Sequence, residues 1–253
     1  MEARIVDIGD ARLSVYDAGS GQSIVFLHGN ASRWQHWEPQ LQALSNRFRC
    51  IAFDQRGYGA SSPLTSPNTL SRMADDAAAI CQALRVDHAY FVGLSMGGAV
   101  AQAVALRHPA LVDGLVLAAP PQIPLEPVEI PEITNEFLRS NVIANFGPKI
   151  KQQHELAERL LKEHLETNIE TIQNFSTHDF PQMDVTRIHA PALVIAGELD
   201  PAAPTTTLKP LAEKLPNATY LEFPGTGHYL NIEEPEAFTT AIIRFIEEHP
   251  YHR

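Results

Sequence analysis

Ala89-Tyr90-Phe91-Val92-Gly93-Leu94-Ser95-Met96-Gly97-Gly98-Ala99 joins two kinds of local pattern within eleven residues. Ala89 to Val92 is a short apolar, β-favouring run, the mark of a buried parallel strand. Met96 to Arg107 is made of small, helix-compatible residues. Between them stand Gly93, Ser95 and Gly97 in the spacing Gly-x-Ser-x-Gly. In a strand–turn–helix setting that spacing puts Ser95 on a tight, strained turn. The glycines sit where a Cβ would collide with neighbouring backbone. The helix N-terminus after Ser95 offers unpaired N–H groups and positive potential where a negative oxygen would develop. The pattern predicts an activated serine rather than a turn used only for packing.

Working outward, the first half of the chain alternates strands and helices. Residues 3–8 and 12–18 read as an exposed antiparallel hairpin around Gly9-Asp10. Ser23 to His28 reads as a buried strand, 34–45 as a helix, Arg49 to Phe53 as a strand, Ser71 to Leu84 as a helix, and Gly114 to Ala118 as a further strand. This order predicts an α/β fold with a parallel sheet covered by helices on both faces. The alternation breaks at Pro120-Pro121. Residues 121–131 show no periodicity, and helices are expected at Ile133 to Asn145, Pro148 to His164 and Thr167 to Thr177, with no strand. The α/β pattern then returns with strands at Ala192 to Ala196 and Thr219 to Phe223 and helices at Leu208 to Leu215 and Pro235 to Glu248. The expected organisation is one α/β core, 1–120 and 189–253, with a small helical cap at 121–188.

A chain of 253 residues suits such a single domain and can bury a large core without disulfides or metals. Its net charge of −11 would repel a phosphate backbone, so no nucleic-acid partner is expected. No apolar run reaches the roughly 20 residues that span a bilayer, and the first residues lack the apolar core of a signal peptide. A cytoplasmic protein without a membrane partner is expected, with homodimerisation left open. Cys50 and Cys81 lie in different elements without metal spacing and read as buried thiols. His154-Glu155-Leu156-Ala157-Glu158 begins like a zinc helix, but glutamate replaces the second histidine, so no metal is expected. No glycine-rich phosphate loop follows a strand, so no cofactor is expected either.

A serine hydroxyl needs a base, and the base needs a group that fixes its tautomer. Of eleven histidines, His228 in Pro224-Gly225-Thr226-Gly227-His228 follows the last expected strand, where flanking glycines let a loop fold close to Ser95. Asp200, in Gly197-Glu198-Leu199-Asp200-Pro201, follows the preceding strand and is the expected acid, with Glu198 as its rival. An oxyanion hole needs two N–H donors. The amides of Met96 and of Asn30, in His28-Gly29-Asn30-Ala31-Ser32, are expected to supply them, with Ala31 as the alternative. His28 is read as a tie between that loop and the site wall. Asp54 and Arg56 suggest a buried ion pair shaping a turn. Trp34, Phe137, Phe146 and Phe175 are candidate substrate-binding residues, together with Leu138 and Val142, though packing is equally open to them.

Taken together, His28-Gly29, Asp54-Gln55-Arg56-Gly57-Tyr58-Gly59-Ala60-Ser61, Gly93-Leu94-Ser95-Met96-Gly97-Gly98, Gly197 with Asp200, and Gly227-His228 resemble the α/β-hydrolase superfamily over essentially the whole chain. The Gly-Leu-Ser-Met-Gly-Gly form is similar to 3-oxoadipate enol-lactonases and small carboxylesterases. The resemblance implies a cofactor-free hydrolase of small-molecule esters or lactones. C–C bond hydrolysis of the meta-cleavage type, perhydrolase activity and a non-catalytic ligand receptor remain as alternatives.

Overall fold

A computed structural model describes residues 1–65, 67–121, 133–173, 175–176 and 184–250, the pair 175–176 by backbone alone. Ten strands occur among them: β1 (Arg4–Asp7), β2 (Arg12–Ala18), β3 (Ser23–Leu27), β4 (Arg49–Phe53), β5 (Asn68–Thr69), β6 (Ala89–Leu94), β7 (Val112–Ala118), β8 (Phe175–Ser176), β9 (Ala192–Gly197) and β10 (Ala218–Phe223). Eight form one sheet in the order β1-β2-β4-β3-β6-β7-β9-β10. β1 and β2 enter antiparallel, and β4 through β10 pair in parallel. The chain goes from β3 out to β4 and then back across β3 to β6. That reversal opens a crevice beyond the C-terminal ends of β3 and β6, where open α/β sheets bind ligands. Leu27 pairs with Gly93, so the loops carrying Asn30 and Ser95 leave the sheet side by side. Gly197 pairs with Phe223, which does the same for the loops carrying Asp200 and His228.

The sheet strands explain their own sequences. β3, β6 and β9 are buried along their whole length, as continuous apolar runs require. The hairpin is less exposed than its alternation suggests. β1 is solvent-facing, but β2 is held between β1 and β4 and buries Leu13, Ser14, Val15 and Tyr16. Helix α3 (Met96–Arg107) is buried from Met96 to Ala105, so its small residues have no polar face to present. After α8 (Thr205–Lys214) and α9 (Leu230–Glu233), helix α10 (Pro235–Glu248) buries Phe238, Ala241, Ile242, Phe245 and Ile246, the i, i+3, i+4, i+7, i+8 stripe of a helix packed on one side. The expected helix at 34–45 starts as a 3-10 turn, Trp34–Trp37, before α1 (Glu38–Leu44) with Pro39 in its first turn. Helix α2 (Leu70–Ala83) is capped by Thr69 Oγ1, which accepts from Arg72 N.

Between β7 and β9 lie α4 (Asn135–Asn145), α5 (Pro148–Gln152), α6 (His154–Leu165) and α7 (Ile169–Gln173). Two expectations need correcting here. The single helix expected over Pro148 to His164 is broken at Gln153, whose φ of −106° and ψ of 83° leave the helical region. The segment is also not free of strands, since Phe175–Ser176 continues past α7 and pairs in parallel with Asn68–Thr69. A two-residue strand is too short to show periodicity in sequence. The aperiodic stretch 122–132 and residues 177–183 lie outside the described residues.

Candidate active site

At the end of β6 the chain turns onto α3 with Ser95 at φ 53° and ψ −121°. A side chain with a Cβ is disfavoured there, and the surrounding structure holds the strain. Ser95 N donates to Ala118 O at 2.8 Å, and Ser95 O accepts from Gly98 N at 2.8 Å. A Cβ on Gly93 would overlap the Gly97 carbonyl, and one on Gly97 would overlap the Leu27 carbonyl. The turn therefore closes against β3 only because both are glycine. Met96 N, in the first turn of α3, has no carbonyl four residues back to receive it.

His228 and Asp200 meet although they come from different loops. His228 Nδ1 donates to Asp200 Oδ2 at 2.7 Å, and both residues are buried. The other oxygen, Asp200 Oδ1, accepts from Ala202 N at 2.8 Å and Ala203 N at 3.1 Å. Burial pushes the Asp200 pKa up, but the hydrogen bond and charge of His228 and the two backbone donors outweigh it and hold it below the usual value. The carboxylate stays charged and can only accept, so Nδ1 carries the proton and Nε2 is free to act as a base. Glu198 is not placed to compete, because its Oε2 accepts from Gly225 N at 2.8 Å and the residue is exposed. The His228 loop is pinned by His228 N to Asn145 O at 3.0 Å, and by Glu233 Oε1, which accepts from Gly147 N and Gly227 N.

Ser95 and His228 line one cavity of about 300 Å³ with Gly29, Asn30 and Ala31. Among the described residues no hydrogen bond joins Ser95 to His228. In unliganded sites this contact often tightens only on substrate binding. His28 is fully buried and ties the loop as expected. Its Nδ1 donates to Gly29 O at 2.7 Å, its Nε2 accepts from Gln55 N at 2.9 Å, and burial pulls its pKa down to about 3. Tyr58 Oη donates to Asn30 Oδ1 at 2.7 Å, and Asn30 Oδ1 also accepts from Ala31 N at 2.9 Å.

The expected Asp54–Arg56 ion pair does not form. Asp54 accepts from Trp34 N at 2.9 Å and Ala60 N at 3.0 Å, stapling two turns together. Arg56 instead forks onto Asp76 of α2, at 2.6 and 2.8 Å, and onto Asp10 in the hairpin turn. Neighbours along the chain suggested a pair that the fold resolves with partners from other elements.

Of the aromatic candidates, Phe137 lines the cavity, as do Leu138 and Val142. Trp34 does not. It stacks on Tyr16 at 5.3 Å and faces a separate groove with Arg33, Asp54 and Gly57. Phe146 is also absent from the wall and packs behind it against Tyr229, at 5.6 Å. The side chain of Phe175 lies outside the described residues. His36, Asn141, Asn145, His164, Ile172 and Tyr229 also line the cavity, and no motif marks any of them. Tyr229 Oη donates to His164 Nε2 at 2.9 Å, while His164 Nδ1 donates to Leu160 O at 2.7 Å. Burial pulls His164 down to about 3, so it stays neutral. The only available signal was Tyr229 following His228 directly.

No group of three or more potential metal ligands occurs among the described residues. Cys50 and Cys81 are free and buried. No helix among the described residues is long and apolar enough to cross a membrane.

Comparison with known proteins agrees with this architecture. A family described as the alpha/beta hydrolase family matches residues 24–241. The AB hydrolase superfamily protein YisY of Bacillus subtilis is 31% identical, covering 92% of this chain and 94% of its own. The 2-(acetamidomethylene)succinate hydrolase of Mesorhizobium japonicum is 28% identical, with 97% and 95% covered. Among solved structures, the enol-lactonase from Burkholderia xenovorans LB400 superposes with a TM-score of 0.88 at 25% identity, covering 96% of this chain and all of that one. The chain belongs to the α/β-hydrolase family and is a hydrolase.

Proposed function

We propose that the protein hydrolyses carboxylic esters or lactones of small molecules through an acyl-enzyme on Ser95. The observation that carries this is the pairing of a strained Ser95 with the His228–Asp200 hydrogen bond of 2.7 Å across one cavity. His228 Nε2 takes the Ser95 proton as Oγ attacks the carbonyl carbon. Asp200 holds the tautomer and stabilises the imidazolium. The oxyanion is met by Met96 N and Asn30 N. Ala31 is less suited, since its amide is already donated to Asn30 Oδ1. The imidazolium then gives its proton to the leaving oxygen, and the same nitrogen activates water to release the acid. The helices between β7 and β9 act as a cap over this site, supported by the contributions of α4, α6 and α7 to the cavity wall.

The test is p-nitrophenyl acetate turnover together with covalent labelling by a fluorophosphonate. Wild type should label and turn over, and Ser95→Ala should lose both, with kcat/KM down by at least roughly 10³-fold. Equal labelling of the two proteins would reject the mechanism.

A further inference from the structure

The cavity that holds Ser95 and His228 offers a substrate no ion-pair partner of its own. Among the described residues that line it, none is Lys, Arg, Asp or Glu. Its wall is aliphatic at Ile133, Leu138, Val142 and Ile172, with neutral amides at Asn141 and Asn145. The stretches 122–132, 174 and 177–183, outside the described residues, contain no Lys or Arg either, and carry Glu126, Glu129, Glu132 and Asp179.

Two carboxylates stand one hydrogen bond behind that wall. Asp200 meets His228 Nδ1 at 2.7 Å and Ala202 N at 2.8 Å, and Glu163 Oε2 meets His36 Nε2 at 3.0 Å. Burial pushes both pKa values up, but the hydrogen bonds and the neighbouring histidines outweigh it and leave both lowered, so both groups stay charged. The cations nearby face elsewhere. Arg33 donates to Glu163 O and Glu166 Oε2 and lines a separate groove beside Trp34, and Arg159 lines a further groove with Glu163. These two guanidiniums offset Glu163 from outside. Arg139 of α4 is exposed and does not line the cavity. His228 becomes positive only during the reaction, and Asp200 matches that charge. An anionic group entering this space gives up water without gaining an ion pair, and it meets Asp200 and Glu163 across a wall of low dielectric. A neutral ester meets neither cost.

We propose that the cavity selects against negative charge, so that the substrates are esters or lactones whose acyl and alcohol parts carry no carboxylate or phosphate near the reacting carbonyl. This rests on the serine-hydrolase mechanism above and adds the substrate class to it.

The experiment uses four methyl esters of nearly one shape and follows methanol release at pH 7, with Ser95→Ala as the blank. Methyl 4-methylpentanoate is apolar, methyl 4-oxopentanoate is polar and neutral, monomethyl succinate carries a carboxylate, and methyl 3-(dimethylammonio)propanoate carries a positive charge. Each kcat/KM is divided by the ester's own hydroxide-catalysed rate. The two neutral esters should agree within about tenfold, and the succinate should fall about a hundredfold below 4-methylpentanoate, the size of an unpaired charge in a partly dry site. The ammonium ester should stand above the succinate, which separates the sign of the field from mere loss of water. Asn141→Lys sets a cation at an exposed lining residue of α4 and should raise the succinate-to-4-methylpentanoate ratio at least about tenfold. A wild-type succinate rate within tenfold of 4-methylpentanoate, an ammonium ester slower than the succinate, or a ratio unmoved by Asn141→Lys overturns the proposal. The wild-type comparisons decide it without the variant should Asn141→Lys fail to fold. Ser95-dependent hydrolysis that ignores charge rejects the selection alone, whereas no Ser95-dependent hydrolysis of any ester rejects the mechanism with it.

Discussion

The loops at the C-terminal edge of the sheet and the helices between β7 and β9 face the same cavity but are built differently. On the sheet side the groups next to Ser95 are held by several paired polar atoms. Asp200 accepts three hydrogen bonds, His28 uses both ring nitrogens, and glycines let Ser95 be pressed into a backbone conformation it would not choose. On the helical side the wall is mostly aliphatic, from Ile133, Leu138, Val142 and Ile172, with Phe137 half in solvent. Ser32 Oγ and His36 Nδ1, unpaired atoms of cavity-lining residues, lie in the loop and turn that follow β3, where His36 Nε2 meets Glu163 of α6. The contrast teaches a division of labour. Under the proposed mechanism, strand ends hold the reacting groups to a narrow geometry, and the helices between β7 and β9 shape the space they work in.

The largest effect that would test this division is Asp200→Asn. The asparagine can be held by the same backbone amides yet offers a donor to His228 where a carboxylate accepted. The imidazole then turns to the wrong tautomer, and kcat should fall on the order of 10³-fold or more while the fold survives. Steady-state kinetics beside a circular dichroism melt checks it. A loss under tenfold would mean that the sheet edge does not set the reaction geometry.

A smaller effect belongs to the helical side. Leu138→Ala, at a residue 6% exposed in the small cluster with Ala31, Ile133 and Ile172, should raise KM for a medium-chain ester by roughly tenfold. Turnover at saturation should change by less than about twofold, because no reacting group moves. Should kcat fall with KM unchanged, the insertion would be part of the machinery that stabilises the transition state, and the division drawn above would fail.

How much of this could be read from sequence follows the same line. Ser95, Asp200 and His228 each sit past a strand with an apolar run, and a glycine lies within three residues of each, so local pattern and position in the sheet agreed. β4, α3 and α10 were legible to the residue for the same reason. The partners of Arg56 were not, because Asp76 and Asp10 reach it only after α2 and the hairpin have packed. Trp34 and Phe146 look like pocket residues by type, and only packing against Tyr16 and Tyr229 decides otherwise. The His36–Glu163 and His164–Tyr229 pairs join positions 127 and 65 residues apart across a helical segment without a motif, and nothing local marks them.

The smallest effect separates strain from chemistry at the elbow itself. Ser95→Ala and Ser95→Gly both remove the hydroxyl, so activity cannot tell them apart. They differ in the Cβ, which alanine keeps at φ 53° and ψ −121° and glycine does not have. Strain of this kind costs about 1–3 kcal/mol. The added freedom of glycine in the unfolded chain offsets roughly 0.5–1 kcal/mol of that. Ser95→Gly should therefore be more stable than Ser95→Ala by about 1 kcal/mol in urea unfolding at equal m-values. The same pair of changes at Ser32, at a loop position whose φ is not positive, should run the other way, with glycine the less stable of the two. If alanine were the more stable residue at position 95 as well, the elbow would carry no stored strain, and what distinguishes the sheet edge from the rest of the cavity would be its hydrogen bonds alone.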